Sequence, residues 1–177
     1  TRNFRKECLE WKKSIAIKAP GSGRNRDVLG GANFRRYTAQ SNGNDDKYHE
    51  GICFHRTDTH QRIENFPKQH ADNITSKHQA TNNWFKPISR IYKNMRDRMV
   101  DDGYLVDGQA PSYFIEGALY NVPNALYGTN YVDTFTKTAN WIHGATKSDL
   151  VCANGLHWLV RDNVTTACPV ADFDAFL

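Results

Sequence analysis

"PKQHADNITSKHQATNNWFKPISRIYKNMRDRMVDDG", residues 67–103, decides the fold, because the hydrophobic period changes at its first residue. Trp84, Ile88, Ile91, Tyr92, Met95 and Met99 recur at helical spacing. Pro67 suits a helix start, where its missing N–H would have no partner anyway, and Asp101, Asp102 and Gly103 end the apolar pattern. Pro87 cannot donate to the residue four before it, so it belongs in a first turn or at a kink. Downstream, "PSYFIEGALYNVP" (111–123) predicts a third helix with proline at each end and Tyr113, Ile115, Leu119 and Tyr120 available for packing. "YVDTFTKTANWIHGA" (131–145) predicts a fourth. The stretch around "LHWLV" (156–160) reads as a short strand or loop before a final turn that starts at "PVADF".

Upstream of Pro67 the pattern is that of strands. "SIAIKA" (14–19) alternates apolar and other side chains, and "PGSG" supplies turn chemistry. A hairpin is expected, its return strand beginning near Asp27 in "DVLGGANF", where Gly30 and Gly31 imply a bulge or a close backbone approach. "QSNGNDD" (40–46) reads as a polar loop; "GICFH" (51–55) and "QRIENF" (61–66) flank the turn-prone "RTDT" as a second hairpin. Strands followed by helices predict an α+β fold, with a strand-rich part over residues 1–66 and a helical part over 67–177.

Bulk properties set outer limits. With 23 Lys and Arg against 19 Asp and Glu, the 177-residue chain carries a formal charge of +4, which suits a polyanionic ligand without demanding one. Cys8, Cys53, Cys152 and Cys168 form no CxxC pair, so neither a zinc ribbon nor a redox motif is indicated, and reduced thiols are expected. No apolar stretch approaches the roughly 18 residues that span a bilayer. A cytoplasmic protein with no membrane partner is the expectation.

The candidate chemistry starts at "PGSGRNRDVLGG" (20–31). A phosphate loop needs Lys and Ser/Thr after its glycines at the head of a helix; Arg24, Asn25, Arg26 and Asp27 follow here, so the glycines read as a hairpin tip. Asp27 at a strand edge beside a basic turn is a possible metal ligand, although a solvated aspartate is the simpler reading of spacing alone. His49, Cys53 and His55 are a weak zinc pattern on a strand. On the second helix Arg90 and Lys93 share a face, as do Lys86 and Arg90, which makes a basic stripe opposite the apolar one. On the third, Ser112 and Tyr113 occupy the first turn, where free amides favour phosphate and an aromatic ring could stack on a base; equally, Ser112 could cap the helix and Tyr113 pack in the core.

Together "KKSIAIKA", "DVLGGANFRRY", "EGICF", "NFPKQHADNITSKHQATNNWFKPISRIYKNMRDRM", "APSYFIEGALYNVP" and "VCANGLHWLVRD" resemble one family: bacterial nucleotidyltransferases similar to cyclic GMP-AMP synthase and oligoadenylate synthase, which make cyclic oligonucleotide signals in antiphage defence. The resemblance implies the end of a polymerase-beta-like nucleotidyltransferase mixed sheet over residues 1–66, then a helical substrate-binding lobe over 67–177. It implies that Asp27 is the third catalytic, metal-binding carboxylate, that Arg90 and Lys93 hold a triphosphate, and that Ser112 and Tyr113 contact phosphate and stack on the base. Its implied substrates are nucleoside triphosphates (ATP, GTP or others), and its implied cofactor is Mg²⁺ or Mn²⁺. In the family a Gly-Ser motif and an Asp-x-Asp pair on a neighbouring strand precede the third carboxylate; Gly21-Ser22 stands too close to Asp27 to be that motif and no Asp-x-Asp pair stands before Asp27, so the N-terminal half or a covering protein is an expected partner. A catalytically incomplete module that binds nucleotides or cyclic oligonucleotides is the alternative. Double-stranded nucleic acid is not expected to bind, because no dense Lys/Arg patch is present.

Overall fold

The computed structural model describes residues 8–10, 15–17, 26–28, 30–39, 47–56 and 59–177, the first three segments and Ala39 by their backbone alone. The chain divides into two units, Thr1–Phe66 and Pro67–Leu177. The glycine turn at 20–23 and the polar loop at 40–46 lie outside the described residues.

In the first unit, alternation of side chains produces short antiparallel strands. β1 (Cys8–Glu10), β2 (Ile15–Ile17) and β3 (Arg26–Val28) form one three-stranded sheet in that order, with Asp27 opposite Ala16. β4 (Ala32–Ala39), β5 (Lys47–His55) and β6 (Arg62–Asn65) form a second. The return strand expected through "DVLGGANF" is therefore divided. Asp27 and Val28 pair in the first sheet, Ala32, Asn33 and Phe34 pair in the second, and Gly30 and Gly31 belong to neither. Two adjacent glycines contribute no side chain to either sheet face and lose the most backbone freedom on ordering, so the strand breaks there. The close approach expected at this point does occur, since a Cβ on Gly31 would lie 3.3 Å from the Cys53 carbonyl oxygen. The bulge falls elsewhere, at Tyr37–Ala39. Phe54, Ile63 and Phe66 are buried, and Phe34 is tilted against Phe66 with ring centroids 6.1 Å apart.

The second unit holds five helices: α1 (Pro67–Ala80), α2 (Phe85–Asp101), α3 (Ser112–Asn121), α4 (Tyr131–Gly144) and α5 (Val170–Phe176). Pro67 opens α1, and Pro87 sits in the first turn of α2, where it removes no helical hydrogen bond. Between these helices Asn82 and Asn83 take positive φ, a conformation that asparagine tolerates, and the buried Thr81 Oγ1 accepts from Phe85 N at 3.1 Å. Gly103 closes α2 with φ +80°; its N–H donates to Val100 O and Tyr104 N donates to Met99 O, the two bonds of a Schellman ending. Asn130 caps α4, its side chain accepting from Asp133 N at 2.8 Å.

The core of this unit gathers Phe85, Ile88 and Tyr92 of α2, Phe114, Ile115 and Leu119 of α3, Ile142 of α4, and Phe173 and Phe176 of α5. The final turn expected at "PVADF" extends into α5, and Phe114 meets both its phenylalanines edge-on at 5.8 Å. The "LHWLV" region forms single bridges, Val151 to Trp158 and Val160 to Cys168, in place of a strand. Side chains pin it: Asn121 donates to Gly117 O and Val151 O at 2.7 Å each and accepts from Val151 N at 3.1 Å.

Candidate functional site

α2 turns its apolar side to the core through Phe85, Ile88, Ser89 and Tyr92, which sends Lys86 and Arg90 to the exposed side and leaves Lys93 half-buried at the border. Lys93 Nζ donates to Glu116 Oε1 of α3 at 2.6 Å. The other oxygen of the same carboxylate meets His70 Nε2 of α1 at 2.8 Å. His70 in turn lies flat against Tyr113, with centroids 4.6 Å apart and planes 19° from parallel. The Tyr113 hydroxyl accepts from Asn154 Nδ2 at 2.8 Å, and Asn154 Oδ1 accepts from Leu156 N and His157 N. A cation and an aromatic ring from two helices are thus joined through Glu116 and His70.

Burial raises the Glu116 pKa, but the hydrogen bonds from His70 and Lys93 outweigh it and hold the carboxyl below the usual range. Burial, followed by the neighbouring Cys152, pushes the Tyr113 phenol well above its ordinary value, so it stays protonated. His78 of α1 is held low by desolvation and then by the charges of Lys86 and Arg90. Its Nδ1 accepts from Lys86 N at 3.4 Å.

Of the residues expected from sequence, the structure connects Lys93 to Tyr113 and sets Arg90 in the exposed basic group beside Lys86 and His78. Ser112 is exposed in the first turn of α3, with the extended Pro111 before it and no side-chain cap bond. Asp27 is the middle residue of β3; its side chain lies outside those described. Among the described residues no three His, Cys, Asp or Glu side chains gather as a metal site, His49, Cys53 and His55 included. Cys53, Cys152 and Cys168 are free thiols, and burial raises Cys152 to about 11 and Cys168 to about 12.

Sequence reasoning missed Glu116 and His70. The available signal was Glu116 itself, the single acidic residue between Asp107 and Asp133, set in an otherwise apolar helix. An isolated carboxylate on such a helix needs a cation. A recess of about 460 Å³ between α1 and the end of α3, bordered by Asn73, Ser76, Lys77, Tyr120 and Asn124, contains none of the expected residues.

Residues 72–177 match the family described as the cGAS/DncV-like nucleotidyltransferase C-terminal helical domain. The chain belongs to this family of nucleotidyltransferases and contains its helical domain. It is 39% identical over 129 residues to the cyclic UMP-AMP synthase of Rhodothermus marinus, covering 73% of this chain and 44% of that enzyme. The solved structure of Rhodothermus marinus CdnE c-UMP-AMP synthase with Apcpp and Upnpp superposes with a TM-score of 0.83 at 32% identity, covering 95% of this chain and 56% of that one. For Elizabethkingia meningoseptica CdnE cyclic dinucleotide synthase with GTP and Apcpp the TM-score is 0.79 at 29% identity, over 98% of this chain and 62% of that one. The chain thus spans about half the length of the relatives it matches. No described helix is long and apolar enough to cross a membrane.

Proposed function

We propose that this chain is the distal part of a cyclic-oligonucleotide synthase and that its helical unit binds nucleoside triphosphates. The observation that carries this reading is the joining of Lys93 on α2 to the ring of Tyr113 on α3 within one packed unit. A triphosphate needs fixed positive charge, which Lys93 and the exposed Arg90 supply, and amides at the head of α3 beside Ser112 add dipoles of the right sign. A base needs an aromatic face, which Tyr113 supplies. In the reaction, a 3′-hydroxyl oxygen bonds to the α-phosphorus of a second nucleotide, the bond to pyrophosphate breaks, and the hydroxyl proton passes to solvent. This chain's contribution is to hold the triphosphate in line for that displacement.

Nucleotidyl transfer in this family is expected to use Mg²⁺ or Mn²⁺ with Asp27 among the ligands. One carboxylate does not hold two divalent ions, and the described residues contain no cluster of three ligands. The donor set present does not fit a complete metal centre, and an Asp-x-Asp pair from an upstream half would have to complete it.

The test is incubation of the purified chain with the four ribonucleoside triphosphates and Mg²⁺ or Mn²⁺, alone and with an upstream half carrying Gly-Ser and Asp-x-Asp. Cyclic products that need both parts and vanish in Asp27→Ala are expected. Nucleotide binding without product under any condition would leave a binding module, and absence of binding would remove the reading. Cytoplasmic location and a role in antiviral defence belong to the same proposal.

A further inference from the structure

Glu116 is one carboxylate shared between two helices: Oε1 accepts from Lys93 of α2 at 2.6 Å and Oε2 from His70 of α1 at 2.8 Å. An ionised carboxylate only accepts, so His70 Nε2 carries a proton and the ring plane is fixed. In that plane the imidazole covers one face of Tyr113, while Asn154 holds the phenol oxygen from the far end. All three side chains of the Lys93–Glu116–His70 group are mostly buried, at 26%, 23% and 15% exposed, so solvent screens their contacts little. Breaking the group would leave an unpaired charge in a half-buried setting.

We propose that Glu116, acting with His70, is a positioning residue that sets both halves of the nucleotide site at once. This rests on the reading of Lys93 as a triphosphate ligand and Tyr113 as a base platform. An ammonium has three N–H donors; Glu116 takes one and holds the lysine stem in a single conformation, leaving two for phosphate oxygens. On the other side of the carboxylate, His70 covers one face of Tyr113, whose ring also packs against the core, so a base meets Tyr113 only where these neighbours leave it open. The base is then placed against the tyrosine ring that His70 holds, with the triphosphate tail led to Lys93. Glu116 touches neither base nor phosphate in this arrangement. It acts through the two side chains it holds.

Two probes separate the halves of the site: inorganic tripolyphosphate, which has no base, and each of ATP, GTP, CTP and UTP. Their affinities for the whole 177-residue chain are measured calorimetrically, with helical circular dichroism as the folding control. Glu116→Gln is expected to lower affinity for tripolyphosphate and for the preferred nucleotide by about tenfold each, the scale of one charge-assisted hydrogen bond. His70→Ala is expected to lower the nucleotide several-fold more than tripolyphosphate, so that the ratio of the two affinities falls; Lys93→Ala lowers both and leaves the ratio in place. Glu116→Asp, one methylene shorter, recovers part of the loss. A purely structural role of either residue would move the melting temperature and leave both affinities unchanged. Should Glu116→Gln not fold, His70→Ala carries the test, because it leaves the Lys93–Glu116 pair intact. An unchanged ratio in His70→Ala, or unchanged or tighter binding in Glu116→Gln, overturns this inference while the nucleotide-site reading stands. A wild-type chain that binds neither probe overturns both.

Discussion

Arg90 and Lys93 stand three residues apart on one helix, yet their surroundings assign them different physics. Arg90 is exposed beside two other basic groups, where salt screens its field; Lys93 is half-buried and ion-paired, where salt screens little. Arg90→Ala should therefore weaken tripolyphosphate binding at low ionic strength and lose most of that effect near 0.5 M salt, on the order of a few-ångström screening length. Lys93→Ala should weaken it at both. Affinities measured across a salt series decide this, and parallel behaviour of the two variants would place both lysine and arginine in solvent. Glu116 adds a pH dependence of defined sign. Its folded pKa lies below the ordinary 4.5, so its pairing stabilises the fold fully above that value and is lost as pH falls through the depressed pKa. Thermal midpoints of the wild type and Glu116→Gln should differ at neutral pH and converge in acid below the usual carboxylate range. A gap that persists there would mean that the carboxylate charge is not what stabilises.

At the scale of elements, α3 organises the irregular chain that follows α4. Its last residue, Asn121, uses its amide as a substitute backbone: one edge pairs with both polar groups of Val151, and the same nitrogen reaches back to Gly117 O. Two residues beyond Cys152, Asn154 holds Tyr113, and Asn73 of α1 donates to Ala153 O at 2.8 Å. The Val151–Trp158 bridge is flanked by only two backbone bonds, Cys152 N to His157 O and Leu159 N to Leu150 O, and these amides extend that short ladder by pairing the backbone groups it leaves over. Asn121→Ala should cost about 2 kcal/mol, because it leaves backbone groups of Val151 without partners, and it should raise hydrogen exchange selectively over residues 150–158. Denaturant unfolding with an unchanged slope and a lower midpoint checks the first part. Global loss of protection in place of the local one would show that the loop is integral to the core.

For the whole molecule, the boundary at Pro67 was legible because two independent signals coincide there: the hydrophobic period changes from alternation to helical spacing, and a proline marks the helix start. α2 followed from that helical spacing, and α1 and α3 from the prolines at their ends. What sequence reasoning missed was set by contacts between elements distant in the chain. The division of "DVLGGANF" between two sheets depends on pairing partners at Ala16 and Cys53, and the Glu116 junction depends on His70, 46 residues away. Local pattern contains no term for either. The basic stripe was readable because helical spacing alone aligns Lys86, Arg90 and Lys93. The same separation of local from distant contacts predicts how the chain behaves when cut. The buried core cluster runs from Ile74 to Phe176 and lies wholly within the second unit, as does every member of the Lys93–Glu116–His70–Tyr113–Asn154 chain. Residues 67–177 expressed alone should therefore unfold in one cooperative transition with helical circular dichroism, and should retain tripolyphosphate binding within about threefold, well under the tenfold that loss of one strong contact would cause. Under the proposed function, product formation requires the strand-bearing unit with Asp27 in addition. A fragment that folds cooperatively but loses tripolyphosphate would show that residues before Pro67 supply part of the phosphate grip, moving the site beyond the helical unit; a fragment that does not fold would show that this core needs the strands to close it.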